Sequence, residues 1–361
     1  MSMRKKRFGI YLLLSLIFVI GMSAQVVLDN WGQQDREGRN IDVGFQNHKK
    51  IIVPLHWVGN VPQKMNKPVS FGIPFGKGEV YSEDILQLTS TDNEKIPIDT
   101  WPLAYWPDGS IKWSGIAGVI PVGMKNMVVE KIRKEELGSE EKPDMAFVTV
   151  QETTENIRIE TGLISVYISR KGQYLVDSLL YKNVKVGENL RLICTTQSCP
   201  KLENISLISF VDYQGELKSA EVERVGYVHT VIKLKGVHKG KTGREWLPFV
   251  VRLYFYAGSE QVKMVHSFIY DGDQNRDFIS ALGIRWSVPM REALYNRHVA
   301  FSCADGGVWS EAVQPLADHR ILNNNPSLQI QQLEGKRIPD SQQCDERSRI
   351  LLDHWASWNY A

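Results

Sequence analysis

Apolar and polar residues alternate along most of this chain, from about residue 50 onward. Ile157 and Ile159, for example, are separated by Arg158, which is the period of a half-buried strand. Turn-forming residues such as Asp271-Gly272-Asp273 interrupt these runs at short intervals. The pattern predicts an all-β fold of short antiparallel strands, with similar runs at 163–169, 190–195, 205–212, 230–235, 249–256 and 262–270.

Residues 101–113, Trp-Pro-Leu-Ala-Tyr-Trp-Pro-Asp-Gly-Ser-Ile-Lys-Trp, predict a hairpin. Pro107 pre-sets φ at the first turn position, and Asp108 can bond the backbone ahead of it. Gly109 accepts the positive φ that closes a short loop. Bulky residues, which strands favour, flank the turn on both sides.

Domain boundaries follow from the few interruptions of the strand pattern. Residues 129–137 have a helical composition, and they run into the polar segment Gly-Ser-Glu-Glu-Lys-Pro-Asp at 138–144. We therefore predict a lead-in at 25–50, a small β-domain over 51–137, a linker at 138–144 and a larger β-sandwich over 145–361. A helix-rich architecture is excluded.

The N-terminus has the order of a secretory signal peptide over residues 1–24. Arg-Lys-Lys-Arg at 4–7 precedes an uncharged apolar run at 10–20, and small residues end it near Ala24. An uncleaved anchor is the alternative, although the run is shorter than the roughly 20 residues that a spanning helix needs. We expect a periplasmic or secreted protein that has no membrane attachment after cleavage.

Charge and cysteine content narrow the class further. Without the four N-terminal cations the formal net charge changes from +2 to −2, and no basic cluster remains, so nucleic acid is not an expected partner. Export permits disulfides. Cys194 and Cys199 flank a short polar segment that a local disulfide could close, and free buried thiols are the alternative. The other two cysteines are Cys303 and Cys344.

Several long phrases resemble one known family. Residues 69–78, Val-Ser-Phe-Gly-Ile-Pro-Phe-Gly-Lys-Gly, and the 101–113 hairpin resemble the N-terminal barrel of the exo-acting rhamnogalacturonan lyases, polysaccharide lyase family 26 and their uncharacterised relatives. Residues 252–259, 265–273, 277–279, 283–286 and 307–316 are similar to that family's central β-sandwich. The resemblance implies a small β-barrel followed by a large antiparallel β-sandwich. The family continues into a helical α/α toroid, which we expect to be missing here, leaving catalysis incomplete.

The resemblance implies a lyase reaction on a uronate sugar, for which a base, a proton donor and a carboxylate clamp are needed. His266 lies on a strand face with apolar residues and could act as the base, with Tyr270 beside it; a core histidine is the alternative. Arg285 could clamp a carboxylate or pair with a surface acid. Trp309 and Glu311 are candidate substrate-binding residues, although tryptophans also fill β-domain cores.

Other candidates carry weaker patterns. His229 resembles His266 in its strand context. Asp271, Asp273, Asn275 and Asp277 resemble the opening of an EF-hand, but Arg276 stands where that loop needs Gly. We therefore predict no metal site and no cofactor, with a looser calcium loop as the alternative to a hairpin turn.

Three functions stay open. The first is an exported lyase that cleaves a pectic poly- or oligosaccharide by β-elimination at a uronate. The second is a non-catalytic carbohydrate-binding or structural module. The third is a glycoside hydrolase acting on rhamnose–uronate linkages through two carboxylates.

Overall fold

The computed structural model describes residues 51–59, 65–132, 147–200, 208–302, 307–316, 327–346, 348–350 and 352–353. The predicted signal peptide, lead-in and linker lie outside these ranges, as does Cys303. Among the described residues, no helix has the length and apolar character needed to cross a membrane.

The N-terminal part is a small barrel of seven strands in two sheets, one ordered β1-β7-β3-β4 and the other β2-β6-β5. Alternate residues of these strands point inward and form one core, which includes Ile73, Leu88 and Ile116. The strands are β1 Ile52–His56, β2 Lys67–Pro74, β3 Ile85–Ser90, β4 Lys95–Ile96, β5 Ile98–Tyr105, β6 Ile111–Ile120 and β7 Asn126–Ile132.

The predicted hairpin connects β5 to β6 and is confirmed. The Trp106 N–H donates to the Ser110 carbonyl over 2.8 Å, and Gly109 has a φ of 83°. Asp108 Oδ1 accepts hydrogen bonds from both the backbone and the hydroxyl of Ser110. These contacts lower the pKa of the Asp108 carboxyl, with the Ser110 hydroxyl as the main cause.

The helix suggested by the composition of 129–137 is wrong for its described part. Residues 129–132 belong to β7, which pairs with both β1 and β3. Val129 is 1% exposed in the barrel core. Burial of alternate β-branched side chains between two strands therefore overrides the helix-favouring charged residues; residues 133–137 lie outside the described ranges.

The next domain is built on a ten-stranded antiparallel sheet ordered β16-β15-β14-β13-β12-β11-β10-β9-β8, with β17 pairing with β12. This confirms an all-β chain in which a small barrel is followed by a large antiparallel β-sandwich. Its strands are β8 Thr149–Glu152, β9 Asn156–Glu160, β10 Ile164–Ser169, β11 Val176–Tyr181, β12 Val184–Gln197, β13 Phe210–Arg224, β14 His229–Gly240, β15 Glu245–Tyr256, β16 Lys263–Phe268 and β17 Phe278–Ser287.

Cys194 lies in β12 as a buried free thiol, so the suggested bridge to Cys199 is not formed in this structure. Burial raises the pKa of the Cys194 thiol to about 11, which keeps it protonated and unreactive.

A separate compact unit begins at Arg285. It contains the two-stranded sheet β18 (His298–Ser302) and β19 (Val308–Ala312), the helix α1 (Ser327–Leu333) and the 3-10 helices Leu294–Asn296 and Ser341–Gln343. The Gln332 side-chain amide donates to the carbonyls of Tyr295 and Gln314 and ties α1 to the neighbouring chain. Its core consists of Tyr295, Leu316, Leu328, Ile338 and Leu352.

Candidate functional site

His266 lies on the edge strand β16, opposite Val251 of β15. Its ring centroid is 5.6 Å from that of Phe268 and 6.4 Å from that of His238. Its Nε2 atom is buried and has no hydrogen-bond partner. Burial, reinforced by His238, lowers the pKa of His266 to about 4. The imidazole is therefore neutral near pH 7, which is the state that a proton acceptor needs.

The neighbouring His238 is held in one orientation by a backbone irregularity. Leu247 has a φ of 50°, an uncommon conformation for a non-glycine residue, where β14 and β15 shift register. The Leu247 N–H donates to Asp271 Oδ1 over 2.7 Å, and its carbonyl lies 2.8 Å from His238 Nδ1. His238 Nδ1 must carry the proton to donate to that carbonyl, so its buried, unpartnered Nε2 is a free lone pair.

Tyr270 lies just beyond β16 and contacts a different set of residues. Its hydroxyl donates to the Asp277 carbonyl over 3.1 Å, and its ring packs edge-on against Trp246 at 5.9 Å. Arg244 contacts both carboxylate oxygens of Asp277, at 2.6 and 2.7 Å, and lowers the pKa of that carboxyl to about 2. His266 and Tyr270 thus share one corner of the sheet without contacting each other.

The suspected calcium loop is a turn whose carboxylates bind protein groups. Asp271 accepts from Leu247, Asp273 Oδ1 accepts from the Asn275 N–H, and Asp277 binds Arg244. Within the described parts of the chain, no group of three or more His, Cys, Asp or Glu side chains is arranged to hold a metal ion. The loop geometry therefore favours the hairpin-turn interpretation.

The other predicted residues lie in the unit that begins at Arg285. Arg285 is an exposed residue near the end of β17. Trp309 is 61% exposed on β19, and its indole N–H donates to Glu311 Oε1 over 2.9 Å. This pair has an open aromatic face beside a carboxylate, an arrangement that can bind a sugar ring and its hydroxyls.

A further polar cluster joins the barrel to the sandwich, and its centre is Asp99 of β5. Its carboxylate accepts three successive backbone N–H groups, from Tyr227 at 3.0 Å, Val228 at 2.8 Å and His229 at 2.6 Å. A Cβ on Gly226 would lie 2.1 Å from the same carboxylate. Glycine is therefore required for this close approach.

Aromatic rings surround the buried His229 in the same cluster. Its ring stacks on Trp101 at 5.7 Å and on Tyr254 at 5.8 Å, and both ring nitrogens lack a partner. Burial lowers the pKa of His229 to about 4. Arg224 covers the Trp101 ring, with its guanidinium carbon 3.6 Å from the ring centroid.

We name Asp99, Trp101, Arg224 and His229 the junction cluster. Of these four, only His229 is among the candidates that the sequence predicts. The others contact residues more than a hundred positions away, for which alternation of apolar and polar residues gives no signal. The available sequence signal is glycine at positions 115 and 226, because a Cβ at Gly115 would collide with Trp101 and a Cβ at Gly226 would collide with Asp99.

Comparison with known proteins agrees with this architecture. Residues 52–132 match the family model of the PcRGLX-like N-terminal RIFT barrel domain, and residues 148–360 match that of the PcRGLX-like protein central beta sandwich domain. The chain belongs to the PcRGLX-like family. It is the rhamnogalacturonan lyase-related family that segments such as 69–78 and 101–113 resemble.

A curated relative is the "Uncharacterized protein YetA" of Bacillus subtilis (strain 168). It is 30% identical over 290 residues, which cover 80% of this chain and 33% of the relative. The chain thus spans about a third of the length of the curated relative that it matches.

Proposed function

We propose that this protein is exported and cleaves rhamnose- and galacturonate-bearing glycans by β-elimination, in the manner of an exo-rhamnogalacturonan lyase. The observation that carries the proposal is the match of two successive domains to PcRGLX-like family models. The neutral His266 supports it, because the reaction begins with removal of a weakly acidic proton.

The elimination removes one proton and breaks one C–O bond. A base takes the proton from C5 of the galacturonate, and the electron pair of that C–H bond forms the C4–C5 double bond. The C4–O bond to the next sugar breaks, and a proton donor completes the leaving hydroxyl. Charge that develops on the uronate carboxylate must be stabilised by a cation.

His266 is the first candidate for the base, with Tyr270 as proton donor. His266 Nε2 is shielded from solvent, and the Phe268 ring beside it is 45% exposed. We therefore expect substrate access to require a movement of the Phe268 side chain. Activity should fall as the pH drops toward about 4, because protonation of His266 removes the base.

The test is ultraviolet absorbance of the unsaturated uronate, recorded with the full chain and oligosaccharides of the rhamnogalacturonan backbone. His266→Gln should abolish the signal, whereas His56→Gln, on an exposed position of β1, should retain it. A wild-type chain that cleaves nothing would contradict the lyase proposal. Equal rates for the two variants would remove His266 from the mechanism.

A non-catalytic carbohydrate-binding module is the second candidate, favoured by the exposed Trp309 ring and its contact with Glu311. Calorimetric binding of the oligosaccharides without any absorbance change would favour this module. Reducing-end release without an unsaturated product would instead indicate a glycoside hydrolase.

Export has its own test. Cell fractionation should recover the protein in the periplasm or the medium, with an N-terminus near Gln25. Recovery from the cytoplasm with residues 1–24 intact would contradict export.

A further inference from the structure

Arg224 is an arginine without a carboxylate partner. Other arginines of this sheet, such as Arg158, Arg170 and Arg252, contact a Glu side chain. Within the described part of the chain, Arg224 has neither an ion pair nor a hydrogen bond, and its contact is the stack on Trp101. The Glu223 and Asp99 carboxylates act on Arg224 electrostatically but do not hydrogen-bond it. A guanidinium that is fixed by stacking and has no hydrogen-bonded carboxylate can bind a planar anion through two parallel hydrogen bonds.

A second unpaired cation lies on the same sheet face. Arg224, Val231, Tyr254 and Lys263 are successive register partners across β13, β14, β15 and β16, so their side chains share one face. Lys263 Nζ lies 5.2 Å from the Tyr254 ring centroid and has no carboxylate partner among the described residues.

The acids near these two cations already have partners. Asp99 accepts three backbone N–H groups, and Glu223 binds Arg252 and Lys233. The donors to Asp99 are neutral, so its carboxylate keeps its negative charge, but Arg224 and Lys263 supply two positive charges against it, which favours an anionic ligand.

A flat aromatic surface adjoins this positive face on the barrel. Gly72 of β2 and Gly115 of β6 are register partners, and a Cβ on either would collide with an indole: Trp113 at 2.1 Å for Gly72, and Trp101 at 2.2 Å for Gly115. Because neighbouring strands are about 5 Å apart, the two indoles lie next to each other. Trp101 is covered by Arg224, whereas Trp113 is 41% exposed.

We propose that this part of the molecule is a subsite for an acidic sugar, in which Arg224 binds the carboxylate of a uronate residue and the Trp113 ring stacks on the neighbouring sugar. Lys263 adds the second positive charge. The register places the Trp113 ring on the strand next to the Trp101 ring that Arg224 covers, so one oligosaccharide can reach both Arg224 and Trp113. This subsite deepens the proposed function and rests on it for the choice of a uronate glycan as ligand.

The experiment uses two probes that differ in one group: the galacturonate–rhamnose disaccharide and its carboxyl-reduced form. Calorimetry on the full chain should give at least ten-fold tighter binding of the acidic probe. Arg224→Gln should weaken the acidic probe about ten-fold or more and remove the preference between the two probes. Trp113→Ala should weaken both probes by a similar factor, because stacking does not depend on the carboxyl group.

Arg252→Gln is the matched control, because it removes a guanidinium that is already paired with Glu223; it should bind both probes like wild type. Arg224→Lys should recover part of the preference, which separates loss of charge from loss of structure.

The outcomes distinguish this subsite from the proposed function. Equal affinity of wild type for the two probes, or unchanged affinity in Arg224→Gln, overturns the subsite, whether or not cleavage is seen. Loss of binding in Trp309→Ala but not in Trp113→Ala also overturns it. Selective binding of the acidic probe without any unsaturated product supports the subsite while the lyase proposal fails. A wild type that binds neither probe contradicts both.

Discussion

Replacement of Asp99 by alanine should loosen the connection between barrel and sandwich. The Asp99 carboxylate is the acceptor for the backbone N–H groups of Tyr227, Val228 and His229. Alanine removes the acceptor but leaves the sandwich loop in place, so the three donors lose their partner together. No other change of one residue in the junction cluster removes as many hydrogen bonds.

The magnitude follows from which donors can reach water. Val228 and His229 are 3% and 1% exposed, so their N–H groups stay dry, whereas Tyr227 is 74% exposed and can be rehydrated. Each buried, unsatisfied N–H costs about 1–3 kcal/mol. The expected loss of unfolding free energy is therefore about 2–6 kcal/mol for Asp99→Ala. Asp99→Asn keeps one acceptor oxygen and should lose about half as much.

Equilibrium urea unfolding, followed by tryptophan fluorescence and circular dichroism, measures this loss. Asp212→Ala is the matched control, because Asp212 is an exposed strand residue that accepts one hydrogen bond, from the Thr195 hydroxyl at 2.8 Å. It should cost less than about 1 kcal/mol. If the two alanine variants lose the same free energy, Asp99 does not hold the two domains together and the reasoning is wrong.

Three further substitutions test nearby contacts. Gly226→Ala introduces a methyl group 2.1 Å from the Asp99 carboxylate and should lower the free energy of unfolding by about 1–3 kcal/mol. The control Gly283→Ala has open space around the new methyl group and should change that free energy by less than about 0.5 kcal/mol. Equal urea midpoints for the two variants would contradict the clash. Burial lowers the pKa of His229 from 6.5 to about 4, so the unfolded chain binds more protons between these pH values and stability falls as the pH drops through them. His229→Phe should flatten that decline between pH 7 and pH 5, and an unchanged slope would refute the assignment. Arg244→Lys removes the two-point contact with the Asp277 carboxylate and should lower the free energy of unfolding by about 1 kcal/mol, because Arg244 is half exposed to screening water. A stability equal to wild type would show that the two-point contact is dispensable.

Most of the fold could be predicted because it depends on local patterns. Ile157 and Ile159 are fully buried in β9, as their alternation with polar residues predicts. The Asp108-Gly109 turn forms the expected hairpin for equally local reasons. The wrong helix at 129–132 shows the limit: its charged residues favour helix, but pairing with two distant strands decides the conformation.

The candidate site was less predictable, because its geometry depends on contacts far apart in the chain. His266 could be recognised as a histidine on an apolar strand face. The positive φ of Leu247, which orients the His238 ring next to His266, has no sequence pattern. Trp101 was part of a phrase that identified the family, yet its packing on Gly115 and beneath Arg224 depends on register and domain contact.

The contrast between Asp99 and Arg224 assigns them different roles in the same cluster. Asp99 accepts three backbone N–H groups of the sandwich, so it serves the architecture. Arg224 is partly buried without an ion pair, and burial lowers the pKa of its guanidinium even though the Glu223 and Asp99 carboxylates oppose that shift, which means that its charge is held at a cost to stability. A purely structural residue at this position would be an apolar one stacking on Trp101 without the charge. An anion bound beside the exposed Trp113 ring would supply the hydrogen-bond acceptor that the Arg224 guanidinium lacks.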